Sequence, residues 1–144
     1  MFATSAPATT CPIAQSVYRD VEGQGFELVF SESTNTVSKA TATITHPDQA
    51  QLHRFDVTQA SGYGSIFLSS IDAAGEPLGN GDSLEIYFFD EDFGDATPTF
   101  LGDETESPEY TFIAGLGSHD YYSRRGSVTP PLLGDIMWIH DRCQ

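Results

Sequence analysis

The residues best placed for chemistry lie in one stretch, Leu84-Glu85-Ile86-Tyr87-Phe88-Phe89-Asp90-Glu91-Asp92-Phe93-Gly94-Asp95. An alternating apolar run there leads straight into Asp90, Asp92 and Asp95, at i, i+2 and i+5. In extended chain, Asp90 and Asp92 point to the same side with Cα atoms about 7 Å apart. A hard cation between them would gain two carboxylate ligands, with Asp95 or a carbonyl as a third. Calcium asks for roughly six to eight oxygens, so this loop alone does not complete a shell. Nor is it an EF-hand: counting Asp90 as position 1, position 6 is Asp95 rather than Gly and position 12 is Leu101 rather than Glu.

Other templates fail on spacing. Gly115-Leu116-Gly117-Ser118-His119-Asp120 is not a Gly-x-Ser-x-Gly elbow, and adjacent Ser, His and Asp in one strand or turn cannot converge as a triad must. There is no His-Glu-x-x-His, and the only lysine, Lys39, sits in a Thr-rich run, which excludes a P-loop. His46, His53, His119 and His140 stand at no metal-binding spacing. His140, at the end of an apolar run, reads as a satisfied edge residue. Carboxylates that could pair for acid–base work abound, but abundance without a cleft is no argument for catalysis. The aromatic side chains suit binding better. Tyr87, Phe89 and Phe93 border the acidic loop, and Tyr121 and Tyr122 precede Arg124 and Arg125. Tyr and Arg are the side chains that anchor interfaces, although a β domain of this size also needs aromatics in its core.

The elements that must position these groups are strands. Period-2 sets stand out at Phe26-Leu28-Phe30 against Glu27 and Val29, Ala40-Ala42-Ile44 against threonines, His53-Phe55-Val57 against Arg54 and Asp56, Leu84-Ile86-Phe88 against Glu85, Tyr87 and Phe89, and Ile136-Trp138-His140 opposite Met137 and Ile139. Ile66–Ile71 and Tyr110-Phe112 add two more, and Ser16–Tyr18 an eighth. Turn chemistry separates them at Gly23-Gln24-Gly25, Asp72-Ala73-Ala74-Gly75, Gly79-Asn80-Gly81-Asp82, Gly115-Leu116-Gly117 and Pro130-Pro131. The one helical hint is Pro47 to Arg54, with proline in a first turn. Short strands with regular turns and no long amphipathic run predict an all-β fold: a single antiparallel β-sandwich, Ig-like or jelly-roll-like, of seven to eight strands. It spans residues 13–144 behind a flexible N-terminal arm, 1–12, rich in Ala, Thr, Ser and Pro.

Composition narrows the partners. Over 144 residues, 21 acids against six bases give a net charge of −15, which disfavours nucleic acid and anionic lipid. Nothing between Arg54 and Arg124 is basic, and that interval holds fourteen acids, so one region carries nearly all the net charge. Adaptation to a salty medium would produce the same balance. No apolar run approaches the roughly 20 residues of a membrane span. Asn35 and Asn80, the only asparagines, stand outside Asn-x-Ser/Thr, so no N-glycan is expected.

Cys11 and Cys143 have 131 residues between them and no C-x-x-C. A disulfide joining them would stabilise the fold by about 4–5 kcal/mol in the loop-entropy account; two unrelated thiols in a reducing compartment are the alternative. A bridge would point to an oxidising setting. The first residues lack a signal peptide's charged and apolar regions. Either a signal was removed, or the chain is made without one, as a virus-particle component released by lysis would be.

Two resemblances follow from these residues. The 84–95 loop, with Leu101-Gly102 beyond it, resembles the third calcium loop of the calcium- and phospholipid-binding domains first described in protein kinase C, although that family's Asp-Pro-Tyr first loop has no counterpart. Leu52–Val57, Ser83–Tyr87 and Gly117-Ser118-His119-Asp120-Tyr121-Tyr122 together resemble the bacterial pre-peptidase C-terminal domains, small secreted sandwiches appended to enzymes. That second resemblance implies a non-catalytic accessory module and transfers no catalytic residue.

The sequence thus predicts a non-enzymatic structural or interaction module acting through protein–protein contacts or self-assembly. Its place would be an extracellular or particle-surface assembly, including a virion decoration, fibre or tail, with no cofactor required. Candidate interface residues are Tyr87, Phe89, Phe93, Tyr121, Tyr122, Arg124 and Arg125. The rival reading is a calcium-dependent ligand binder using Asp90, Asp92 and Asp95, and a third is a carboxylate-based hydrolase.

Overall fold

Period-2 alternation becomes eight antiparallel strands in the computed structural model, which describes residues 10–33, 38–78, 83–126 and 129–144. They are β1 (Ser16–Asp20), β2 (Glu27–Glu32), β3 (Ala40–His46), β4 (Gln49–Gln59), β5 (Ile66–Ser70), β6 (Ser83–Phe89), β7 (Tyr110–Ile113) and β8 (Met137–Cys143). Each strand pairs with the next, and β8 returns to β1 with Asp20 opposite Trp138 and Ser16 opposite Cys143. The all-β antiparallel expectation is met, but the strands close into one barrel instead of packing as two sheets. Alternation marks an inner and an outer face in either architecture; the unbroken pairing from β1 through β8 and back to β1 decides, because it leaves none of the open edges that both sheets of a sandwich keep.

An eight-stranded barrel is just wide enough for side chains to fill it, and here large ones do. Trp138, Tyr18, Phe26, Phe30, Phe55 and Phe88 are all under 2% exposed. Tyr18, Phe30 and Phe88 meet one another with ring centroids 5.8 to 6.3 Å apart. Small residues make room for them: Ala42 on β3 stands between Phe30 on β2 and Phe55 on β4 in the ladder. Ile13, in a 3-10 turn at Ile13–Gln15, joins the core at one end.

Helix α1 (Leu116–Ser123) closes the other end, with Leu116 in the core. The helix replaces the turn and strand that the sequence predicts for this segment. Similarly, the helical hint at Pro47 to Arg54 resolves into strand, because β4 is paired from Gln49 onward. Cys11, assigned to the arm, is buried and anchored by its disulfide; residues 1–9 and the turn at 79–82 lie outside the described residues. Among the described residues, no helix is long and apolar enough to cross a membrane.

Candidate functional site

With the interior filled, the outer surface carries the site. On one side of β6, β5 pairs only as far as Ile66 opposite Ile86. The rest of that edge is taken by the chain folding back after β6. The Ala96 amide donates to the Phe88 carbonyl at 2.9 Å, and the Phe88 amide donates to Thr97 Oγ1 at 3.3 Å. Between this returning segment and the β4–β5 turn lies an open groove of about 500 Å³, lined by Tyr63, Tyr87, Phe89, Glu85, Asp95 and Pro98 among others.

Each wall has a local cause. Tyr63 is 98% exposed between Gly62 and Gly64, whose positive φ values of 87° and 89° allow the tight turn that holds the ring out. Glu85 and Tyr87 share the outer face of β6 by strand alternation. The Glu85 side chain beside it is the main reason the Tyr87 pKa is raised above the ordinary 10.0. Gln59 fastens the walls together: its Nε2 donates to the carbonyls of Gly64 at 2.9 Å and Pro98 at 2.8 Å, and its Oε1 accepts from the Leu101 amide at 2.7 Å. Across the same 89–97 segment, a second open hollow of about 410 Å³ is lined by Asp90, Glu91, Glu106 and Glu109. The surface therefore offers aromatic rings and hydroxyls beside carboxylates, with no basic side chain in either lining.

Two of the three aspartates of the 90–95 loop, Asp90 and Asp95, turn a carboxylate oxygen to the local backbone. Asp90 Oδ1 accepts from the Asp92 and Gly94 amides, each at 2.9 Å, and Asp95 Oδ1 accepts from the Thr97 amide at 3.0 Å. This turn holds Phe93 at a positive φ of 65° and stacks its ring on Tyr110, with centroids 4.9 Å apart. Thus, of the interface candidates, Tyr87 and Phe89 line the groove, and Phe93 lies outside its lining. Tyr121, Tyr122 and Arg125 belong to α1 and its end, with the Arg125 guanidinium 5.5 Å from the Tyr122 ring centre.

Arg124 is elsewhere again. It is buried and grips Asp120 bidentately, Nε to Oδ1 at 2.7 Å and Nη2 to Oδ2 at 2.8 Å, while also donating to the Pro130 and Pro131 carbonyls. His53 Nε2 donates to Asp120 Oδ1 at 2.6 Å, and the Leu133 amide donates to Oδ2 at 2.7 Å. Burial alone would raise the Asp120 pKa; the bonds from His53, Arg124 and Leu133 outweigh it and hold the carboxyl well below the usual range. His119 and Ser70 lie beside this cluster, with Nε2 and Oγ 3.5 Å apart. Asp120 is thus bonded to His53, whereas Ser70 meets the other imidazole, that of His119. The cluster ties α1 to β4 and to the segment before β8.

The disulfide is present: Cys11 and Cys143 are bonded, with Cα atoms 6.0 Å apart. His140 differs from the satisfied edge residue expected. Its Nε2 is buried with no hydrogen-bond partner, and burial lowers its pKa despite the nearby carboxylates of Glu109, Asp141 and Glu106.

Of the groove's lining, the sequence singles out Tyr87 and Phe89 as aromatic neighbours of the acidic loop and Asp95 as a cation ligand, and it marks none of Glu85, Tyr63 and Gln59 as a site residue. The flanking glycines were the available signal for Tyr63; nothing local marks Gln59, whose role exists only once residues 64 and 98 are brought together. No protein-family model, curated protein or solved structure matches this chain.

Proposed function

We propose that this protein is a non-enzymatic interaction module that grips a cationic segment of a protein partner in the groove between Tyr63 and Pro98. One observation carries the reading: the barrel is solid, and the aromatic, acid-lined groove sits on its outside. Arginine and lysine are attracted to aromatic faces and gain most where the site is partly desolvated; Glu85 and Asp95 supply the counter-charge. The net charge of −15 steers a basic partner toward this surface and repels acidic ones. The disulfide favours an oxidising, extracellular setting for the encounter.

A two-bait peptide-display selection tests the proposal. The wild-type protein is the bait, and a Tyr63→Ser, Tyr87→Ser double variant serves for counter-selection. Both side chains are exposed enough that the exchange leaves the core alone. The reading expects arginine- or lysine-containing peptides that prefer the wild type and release as salt rises. Peptides without a cationic preference, or equal retention by both baits, contradict it.

A further inference from the structure

We propose that Cys11, Cys143 and His140 form a zinc site when the disulfide is reduced, so that the β1–β8 seam is held by a covalent bond in an oxidising setting and by a metal ion in a reducing one. In a regular strand, residues 140 and 143 would face opposite sides, being three apart. They do not, because β8 carries a bulge. Arg142 stands opposite Val17 and His140 opposite Tyr18, so Asp141 is the extra residue. The slip re-aims the side chains: His140 shares the face of Tyr18, and Cys143 that of Ser16, both buried residues. Cys11 reaches the same place from the segment ahead of β1. One ligand atom from each of the three residues lies within 4.8 Å of the other two.

The donor set points to the ion. Two thiolates and an imidazole suit zinc and disfavour calcium or magnesium. Tetrahedral zinc, with sulfur at about 2.3 Å and nitrogen at about 2.0–2.1 Å, places its ligand atoms about 3.5–3.8 Å apart. The imidazole must therefore close in and the sulfurs separate, as two thiols do once their bond is broken. Cys11 precedes the first strand, so its sulfur can shift without disturbing the ladder. The buried Nε2 of His140 has no hydrogen bond to give up. Cys143 and His140 are half-buried rather than sealed, which leaves an approach for a reductant and for the ion.

The chemistry balances in two steps. A small dithiol reduces the Cys11–Cys143 bond, leaving two thiols and the cyclic disulfide of the reductant. Zinc then binds the two sulfurs and the imidazole nitrogen, releasing the two thiol protons to solvent. Water or a carboxylate takes the fourth position.

Cobalt(II) and zinc(II) themselves are the probes. The full chain is reduced, freed of reductant without oxygen, and titrated with cobalt while its far-ultraviolet circular dichroism is followed. The expected result is one cobalt per chain with sulfur-to-cobalt charge-transfer absorption and tetrahedral visible bands, displaced by one equivalent of zinc. The oxidised chain should show neither. Because even outer-shell changes weaken metal sites by about 10–100-fold, His140→Ala and the gentler His140→Gln should each weaken binding by at least about tenfold. Absence of the charge-transfer band in the reduced protein overturns the proposal. So does cobalt affinity unchanged in both His140 variants, and so does a reduced wild-type chain that has lost its strand signal, since the site requires a closed seam.

Discussion

The side-chain amide of Gln59 donates to the carbonyl of Pro98 at 2.8 Å, joining the end of β4 to a segment 39 residues further on. The same amide nitrogen bonds the Gly64 carbonyl, so one residue sets the distance between the two walls of the groove. Gln59→Leu keeps the bulk but removes these donors and leaves the Leu101 amide without its acceptor. The expected cost is about 1–3 kcal/mol in urea unfolding. Faster amide hydrogen exchange should be confined to residues 64–66 and 99–101. Exchange that is unchanged there would show that the walls are held by other means.

The buried Asp120–Arg124–His53 cluster makes a prediction about acid. Because the Asp120 pKa is depressed in the folded protein, its contribution to stability is fully present above the ordinary value of 3.8 and is lost as pH falls through the lower folded value. Asp120→Asn leaves Arg124 buried without its counter-charge and should cost about 3–5 kcal/mol at neutral pH. It should also flatten the acid limb of the stability curve. Urea midpoints measured from neutral pH down to strong acid check both; an acid limb identical to wild type would contradict the assignment.

Ala42 tests whether the barrel is solid. Standing between Phe30 and Phe55 with no exposed surface, it has no room to grow. Ala42→Leu should destabilise by about 1–3 kcal/mol through overpacking. A neutral or stabilising effect in thermal unfolding would reveal unfilled space inside.

Tyr87 reports on the electrostatics of the groove. Its hydroxyl should lose its proton above the ordinary 10.0, because ionisation places a second negative charge beside the Glu85 carboxylate. Glu85→Gln should bring the titration back toward the ordinary value. A site-resolved alkaline titration of the Tyr87 ring by NMR checks the sign; no movement on substitution would mean that the two side chains do not interact.

What the sequence disclosed follows from how local each feature is. Most strands were legible because inward and outward residues alternate, as on β3 from Ala40 to Ile44 and on β6 from Leu84 to Phe88; β1, where Ser16, Val17 and Tyr18 are all buried, carries no such pattern. Barrel closure was not legible, since it depends on pairing β1 with β8 across the whole chain. Helix α1 escaped because Leu116–Ser123 includes Gly117 and two serines and lacks an apolar stripe; Leu116 in the core and Asp120 in its buried cluster hold it in place. The groove was half legible. Tyr87 and Phe89 announce themselves beside the acidic loop, whereas Tyr63 and Pro98 become the groove's walls only through the long-range bonds of Gln59. His140 looked like an ordinary strand end because the bulge at Asp141, which turns it toward the disulfide, is a property of the pairing and not of the strand alone.

Whether the outer groove receives a cationic segment can be read from backbone amide shifts. The isotope-labelled protein is titrated with a peptide obtained from the two-bait selection, at moderate salt to suppress diffuse attraction to the acidic surface. Saturable shifts should concentrate at Tyr63–Ile66, Glu85–Phe89 and Asp95–Thr99 and vanish in the Tyr63→Ser, Tyr87→Ser variant. Shifts spread across the acidic surface without saturation, or centred on α1 around Tyr121 and Tyr122, would contradict binding in the groove.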